Sequence, residues 1–347
     1  MDIPNGMHTA YAYDTSGRLD AIHHKDGTTV VQGFDYTFDN GGNITRIDHE
    51  DGSYWAYDYD GRDRLIEAER YDDTPTLLHR YTYTYDDADN MLTKAVYDPS
   101  GPSTVTTTFT YNDANEQTSM SDGTTTTNMT YDEWGRLVEK DDGTYTATYV
   151  WGLGSELLQF DSNFPGQGTV SYQYGGDGKR RSVDDGTSFV WYNWARNIPI
   201  NEEDQGAGVG DGPLSKTLIA FRAEVGGSDP SSGTYTYFAT DHLGSIRSTF
   251  NQAKNNTGNA ELAPFGTLYQ AALPGATRAR YSAHTLDNKT GLYYTEYRYY
   301  APDNARWLNR DTFGAIDGPN LYAYVGNNPI SYWDPNGASQ VPTEAGG

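Results

Sequence analysis

Residues 131–149 read Tyr131-Asp132-Glu133-Trp134-Gly135-Arg136-Leu137-Val138-Glu139-Lys140-Asp141-Asp142-Gly143-Thr144-Tyr145-Thr146-Ala147-Thr148-Tyr149. Two turn signals sit in this stretch, with strand-like texture around them. In the first, Asp132 can accept backbone N–H groups across a tight turn, and Gly135 can take the left-handed conformation that closes it. The second is Asp142-Gly143, a pair that favours a type I′ hairpin because both central residues need positive φ. After it, Thr144 to Tyr149 alternate, which is the period of a β-strand. The unit is therefore strand, motif turn, strand, Asp-Gly turn.

The same unit recurs in both directions. Earlier copies are Tyr13-Asp14-Thr15-Ser16-Gly17-Arg18-Leu19, Phe38-Asp39 to Asn43-Ile44, Tyr59-Asp60 to Arg64-Leu65, Tyr85-Asp86 to Asn90-Met91, and a degenerate Tyr111-Asn112 to Glu116-Gln117. Later, weaker ones are Tyr174-Gly175 to Lys179-Arg180 and Tyr192-Asn193 to Asn197-Ile198, with an eroded copy near Tyr149. Asp-Gly pairs follow the lead aromatics at Asp26-Gly27, Asp51-Gly52, Asp122-Gly123, Asp142-Gly143 and Asp185-Gly186. A period in this range marks an array of supersecondary units. The spacing predicts an all-β antiparallel meander, with two-residue hairpins at the Asp-Gly pairs. It also predicts a buried row formed by Tyr13, Tyr59, Tyr85 and Tyr131, each packed on the next copy. The Arg or Asn after each turn is expected to bridge back to the neighbouring Asp.

Composition agrees. The 347 residues include 30 Tyr and 38 Gly, while hydrophobic residues make up only 36%, so Tyr must supply much of the buried apolar area. Lys plus Arg is 24 and Asp plus Glu is 48, a formal net charge of −24. That charge disfavours nucleic acid and anionic membranes as partners. Without cysteine there is no disulfide framework or thiolate chemistry. No apolar run approaches the ~20 residues of a membrane helix, so no membrane insertion is expected. Zinc-protease, Walker, nucleophile-elbow and Rossmann signatures are absent, and no cofactor or metal is expected. Acidic pairs such as Asp58/Asp60 and Asp87/Asp89 read as solvated turn carboxylates, and His242 as a hydrogen-bonded structural residue.

After Ile200 the texture changes. Acidic and Gly-rich stretches at 201–213 and 226–233 suggest a loop-rich connection over 201–237. Then come Asp241-His242-Leu243-Gly244-Ser245-Ile246-Arg247, Tyr297-Arg298-Tyr299-Tyr300, and Arg306-Trp307-Leu308-Asn309-Arg310-Asp311. The series ends with Asn320-Leu321-Tyr322-Ala323-Tyr324-Val325-Gly326-Asn327-Asn328-Pro329 and Trp333-Asp334-Pro335-Asn336-Gly337.

The tandem Tyr-Asp units resemble the YD repeats of the RHS family, found also in teneurins and in the C components of bacterial toxin complexes. The motifs over 238–337 closely resemble the RHS repeat-associated core domain. The resemblance implies a YD-repeat sheet over 1–200 that spirals into a hollow shell, and a core domain over 238–337 that closes one end and turns inward. A flexible tail over 338–347 would follow. It also implies a toxin-delivery or contact-dependent competition role, a secreted or cell-surface location, and as partner a C-terminal toxin or cargo segment or another shell component. The rival is a non-catalytic surface protein whose Tyr rows bind glycans or other chains.

In self-cleaving members the cut falls just after a D-P-x-G-L sequence, and two aspartates and an arginine are implicated. The matching positions here are Asp311, Asp334 and Arg298. Two close carboxylates cannot both ionise cheaply, so one keeps a proton and the pair can act as acid and base. Gly337 is followed by Ala338 where the pattern has Leu, and only Ser339 to Gly347 remain beyond it. The bland alternative is that Asp334 caps its Asp-Pro-Asn-Gly turn and Asp311 pairs with Arg310 or Arg306. About 18 strands were expected from the repeats, which at ~4.8 Å spacing close into a tube ~27 Å across on the backbone. Such a tube is too narrow for a folded toxin. It leaves a fragment of a larger shell, a small relative with an empty or self-filled lumen, or an open sheet.

Overall fold

The computed structural model describes residues 2–3, 5–99, 101, 104–195, 198–204, 214–219, 223–226, 233–271 and 280–343. Among these, 24 strands from His8–Tyr13 to Leu268–Ala271 pair antiparallel, each with its sequence neighbour, in one continuous meander. One 3-10 turn, Val325–Asn327, is the helical element of the described residues.

The meander is built on one repeated turn. The Asp14 N–H donates to the Arg18 carbonyl at 2.9 Å, and Gly17 N–H donates to the Asp14 carbonyl at 3.0 Å. Asp14 Oδ1 accepts the N–H groups of Ser16 and Arg18, while Oδ2 accepts from Arg18 Nε at 2.8 Å. One carboxylate thus closes both the backbone and the side-chain ring of the turn. The same five-residue closure recurs at Asp39–Asn43, Asp60–Arg64, Asp86–Asn90, Asn112–Glu116 and Asp132–Arg136. Its fourth position takes positive φ, as Gly17, Gly42 and Gly135 or as Asp63, Asp89 and Asn115.

Those last three are polar for a reason. Asn43 Nδ2 donates to Asp63 Oδ1, Arg64 Nη1 to Asp89 Oδ1, and Asn90 Nδ2 to Asn115 Oδ1, at 2.9, 3.0 and 2.9 Å. Each turn therefore holds the next one by its left-handed residue. The bridge runs forward to the following turn, in addition to the expected bond within its own turn.

The lead aromatics behave differently from the expected row. Tyr13 is half exposed, at 51%. Phe38 has no donor and Tyr131 packs edge-on against Tyr322, but four others donate from their side chains to the preceding copy. Tyr59 bonds the Ile44 carbonyl, Tyr85 the Leu65 carbonyl, Tyr111 the Met91 carbonyl, and Tyr174 the Leu157 carbonyl, at 2.6–2.9 Å. Trp151 and Trp194 do the same through Nε1, to Leu137 and Arg180. The weaker copies are therefore led by Trp151 and Trp194, two residues after Tyr149 and Tyr192. The contact is a hydroxyl or indole latch to the aliphatic residue that ends the previous turn, where ring stacking on the next copy had been expected. Arg18 and Arg64 lie over the rings of Phe38 and Tyr85, at 4.6 and 4.8 Å.

The Asp-Gly pairs do lie at hairpins, but one position early. At Asp122, Asp142 and Asp185 the aspartate N–H pairs with the residue three ahead, so Gly and Thr form the two-residue loop. Gly123, Gly143 and Gly186 have φ of 86°, 84° and 75°. Glycine at the first central position suits a type II′ turn rather than I′. The aspartates cap the loop, as when Asp122 Oδ1 accepts the N–H groups of Thr124 and Thr125. At Asp51-Gly52 the loop has three residues, closed between His49 and Ser53.

Residues 201–237 are not a loop-rich connection in their described parts. Strands Ile198–Asp204, Leu214–Ile219, Ala223–Gly226 and Thr234–Thr240 continue the meander, and the acidic run Glu202-Glu203-Asp204 lies within the first of them. The Asp241-His242-Leu243-Gly244-Ser245 motif is another copy of the repeat turn, as are Asn251–Asn255 and Ala263–Thr267. The sheet thus runs past 238, and the strand count of about 18 is too low. The motif copies in this region lack the Tyr-Asp pair, which hid them.

The sheet curls until its late strands meet its early ones through side chains. His24 Nε2 pairs with the Thr240 carbonyl at 2.9 Å, Lys254 with Asp26 at 2.6 Å, and Asn5 Nδ2 with the Asn251 carbonyl at 3.1 Å. Ile3 and Met7 pack with Tyr237 and Phe250. The concave face is filled by the chain itself. Tyr281, Tyr293, Tyr300, Trp307 and Tyr324 pack on the inner residues of the early strands. Leu292, Tyr294, Tyr299 and Leu308 pack on those of the strands from Met129 to Tyr192.

This inner segment is keyed to the turn row. Asn328 donates to Asn43 Oδ1, Asn320 to Asn90 Oδ1, Asn327 to the Asp89 carbonyl, and Tyr322 to the Gly135 carbonyl, at 2.7–2.9 Å. A methyl group on Gly135 would also collide with Arg310 and with the Tyr322 hydroxyl. The 338–347 tail is ordered through Thr343 in its described part. Val341–Pro342 pairs antiparallel with Tyr332–Trp333.

Two outcomes follow from this packing. Tyr85→Phe leaves the Leu65 carbonyl unpartnered and should cost about 1–3 kcal/mol in urea unfolding, whereas Tyr13→Phe should cost under about 0.5 kcal/mol. Equal costs for the two would refute the latch. Burial also holds His49 and His284 down to about 4 from the ordinary 6.5. The unfolded chain then binds protons first as pH falls, so stability is lost between the two values. The loss should reach about 2 kcal/mol per residue at pH 5. Calorimetry at pH 7 and pH 5 should show a smaller gap in His49→Gln than in the parent chain.

Candidate functional site

The three residues singled out in the sequence meet at one point inside the curled sheet. Arg298 sits in a short turn. Its N–H donates to Thr295 Oγ1 at 3.1 Å, and Thr295 Oγ1 donates back to the Arg298 carbonyl at 2.6 Å. The next residues enter strand Tyr299–Ala301, which directs the guanidinium inward over the Trp307 ring at 4.2 Å. Asp311 follows strand Arg306–Trp307. It is held by its own N–H on the Leu321 carbonyl and by Phe313 N–H on its Oδ1 at 2.8 Å. Asp334 follows strand Tyr332–Trp333 at the start of the Asp-Pro-Asn-Gly turn.

Arg298 Nη2 lies 2.9 Å from Asp334 Oδ2 and 3.0 Å from Asp311 Oδ2. Two oxygens sharing one nitrogen are within about 6 Å of each other, close enough for their titrations to interact. All three residues are buried, at 3%, 8% and 1% exposure for Arg298, Asp311 and Asp334. Arg298 Nε also donates to the Gly337 carbonyl at 2.6 Å. Asp334 Oδ1 accepts the N–H groups of Gly337 and Ala338 at 2.8 and 3.1 Å. Asp334 does cap its turn, then, but with one oxygen, and its other oxygen faces the arginine. Asp311 pairs with neither Arg310 nor Arg306. Arg310 bonds Glu116, and Arg306 donates to the Asn115 carbonyl.

The electrostatics are uneven. Burial pushes the Asp311 carboxyl above its ordinary value, with Asp334 adding to the rise and Arg298 opposing it. Burial pulls the Arg298 guanidinium below its usual range, against Asp334 and Asp311. Gly337 packs so closely that a Cβ would collide with Thr295 Oγ1, and its φ of 79° suits glycine. A cleft of about 300 Å³ opens beside Arg298, lined by Glu156, Tyr174, Tyr297, Thr312 and Phe313.

Two neighbours escaped the sequence reading. Asp317 adds a third carboxyl that burial pushes up, with its Oδ2 on the Gln340 N–H at 2.8 Å. His284 is buried beside Asp334; burial lowers its imidazole, and the charge and backbone of Asp334, with the backbone of Pro335, partly offset this. Neither residue stands in a repeat motif that would have flagged it. No group of three or more His, Cys, Asp or Glu able to hold a metal ion occurs among the described residues.

A long antiparallel meander curled round its own C-terminal segment is the architecture of an RHS-type β-shell. Similar proteins bear this out. The chain is 34% identical over 101 residues to the toxin protein Tse5 of Pseudomonas aeruginosa, covering 29% of this chain and 8% of that protein. It is 48% identical over 62 residues to the toxin subunit YenC2 of Yersinia entomophaga, covering 18% of this chain and 6% of that subunit. The fold matches the crystal structure of TcdB2-TccC3 with a TM-score of 0.69 and 22% identity, over 97% of this chain and 19% of that one. No protein-family model matches the chain. The homologues are thus RHS-type toxin proteins, and this chain spans under a tenth of the length of the curated relatives it matches.

The buried ion cluster makes a stability prediction. Arg298→Met removes the partner of two buried carboxylates and of the Gly337 carbonyl. The expected cost is about 3–5 kcal/mol, read from the urea midpoint. A change below about 1 kcal/mol would mean that water already reaches and solvates the cluster.

Proposed function

We propose that this chain is the shell wall and inner cap of an RHS-type toxin-delivery protein, and that it cuts itself next to Ala338. Wall and cap are read as His8 to Ala271 and the inner segment from residue 280 on. Secretion and a C-terminal toxin or cargo partner belong to the same proposal. They rest on the likeness to Tse5 and YenC2, which are toxin proteins.

The observation that carries the self-cleavage is the grip on one peptide from both sides. Arg298 Nε holds the Gly337 carbonyl oxygen, and Asp334 Oδ1 faces the Ala338 nitrogen. In the proposed step, water enters from the cleft beside Arg298 and gives a proton to Asp334. Its oxygen attacks the Gly337 carbonyl carbon, and Arg298 stabilises the oxyanion that forms. Asp311, whose carboxyl burial and Asp334 push upward against Arg298, supplies the proton that the Ala338 nitrogen needs as the C–N bond breaks. One water is consumed, and a new carboxyl and a new amine result. The polarised bond is Gly337–Ala338, one residue ahead of the position that the family resemblance implies.

Intact-mass spectrometry of the freshly made chain tests this. The expected product ends at Gly337, and it should be lost in Asp334→Asn and in Asp311→Asn. A product ending at Ala338 would keep the chemistry and move the scissile bond. A chain that stays whole over days at pH 5 to pH 7 would end the self-cleavage reading and leave the shell reading intact.

A further inference from the structure

We infer that Asp317 is a positioning residue that anchors the chain downstream of the cut; this rests on the self-cleavage reading proposed above. A peptide bond is strained toward reaction only if both of its flanks are held. The bond itself is held by Asp334 on the N–H groups of Gly337 and Ala338, and its upstream flank by the Tyr297 N–H on the Asn336 carbonyl at 3.1 Å. Arg298 and Asp334 make no contact beyond Ala338 among their hydrogen bonds to the described residues.

The downstream flank is held by different groups. Asp317 Oδ2 accepts the Gln340 N–H at 2.8 Å. Val341 and Pro342 then pair with Trp333 and Tyr332, and the Thr343 N–H donates to the Ser331 carbonyl at 3.0 Å. Ser339 is left spanning the gap between the two anchors. Asp317 lies on the loop between Asp311 and Asn320, and its carboxyl feels Asp334, Arg298 and Asp311. The loop therefore ties the acid of the site to the strand that must stay in register with it.

An acceptor oxygen is all that this role requires. Asp317→Asn keeps an oxygen that can accept the Gln340 N–H, Asp317→Ala removes it, and Gln340→Pro removes the donor without touching Asp317. Hydrogen exchange on the full chain reads the anchor directly, whether or not the chain is cut. The amides of Gln340, Val341 and Thr343 should exchange about tenfold faster in Asp317→Ala, while Asp317→Asn matches the parent chain. Amides of 336–338 should be unchanged in all of them. The rate of self-cleavage should fall about tenfold in Asp317→Ala and in Gln340→Pro. Asp317→Asn should restore it with the same pH profile from about pH 5 to pH 8.

Unchanged exchange at Gln340, Val341 and Thr343 in Asp317→Ala overturns the proposal. So does an Asp317→Asn variant as impaired as Asp317→Ala, because charge and not position would then matter. A parent chain that is never cut would overturn the self-cleavage reading alone. The exchange comparison would still decide whether Asp317 anchors the strand.

Discussion

Most repeat turns depend on a carboxylate or amide that accepts two backbone N–H groups while the backbone closes between the first and fifth residues. Without it, a three-residue loop with a left-handed residue would be one of several closures open to the chain. With it, the loop geometry is fixed, and so is the place where the left-handed residue projects. That residue then receives the next turn's partner, as Asp63 receives Asn43 and Asp89 receives Arg64. A row of identical turns becomes a continuous polar rail along one margin of the sheet. The inner segment docks on the rail through Asn320, Asn327, Asn328 and Tyr322. The position of Arg298, Asp311 and Asp334 follows from that docking, because all three lie on the docked segment.

Much of this was legible in the sequence, and the limits are physical. The antiparallel meander showed itself because turn chemistry is local, and Asp, Asn and Gly at fixed offsets leave a visible mark. The lead aromatics were also visible, but their contact was not. Whether a tyrosine offers its ring or its hydroxyl depends on the twist between neighbouring strands, which no spacing reports. The turn at Asp241–Ser245 escaped because its lead residue is Thr240 rather than Tyr, although its backbone closure is the same. Strand Leu214–Ile219 escaped because flanking Gly and acidic residues dominate the composition of its surroundings.

The site divides in the same way. Its three expected members were named from a resemblance; the pairing of strands Tyr299–Ala301 and Arg306–Trp307 draws Arg298 toward Asp311, the Tyr297 N–H on the Asn336 carbonyl brings in Asp334, and no motif reports either contact. Asp317 carried no motif. Its meaning lies in a single contact with Gln340, 23 residues away. The ion cluster also illustrates a conflict between stability and chemistry. Several carboxyl groups around one guanidinium make a poor structural pairing, since burial raises Asp311 and Asp317 rather than relaxing them. Such an arrangement is a cost to folding that a purely structural cap has no need to bear.

The latches from lead aromatics all point the same way, toward the copy that precedes them in the chain. This gives the wall a polarity in time as well as in space. A ribosome releases the N-terminal copies first, and each hairpin that carries a latch finds its hydrogen-bond acceptor already present on the one before. Assembly can therefore proceed by local addition, with short loops to close and little sequence separation at each step. The inner segment is the exception, since its partners lie some two hundred residues upstream. It is synthesised after them and meets a wall that is already standing. The slow, long-range search is thereby confined to one event, and the buried ion cluster is completed only when that event is over.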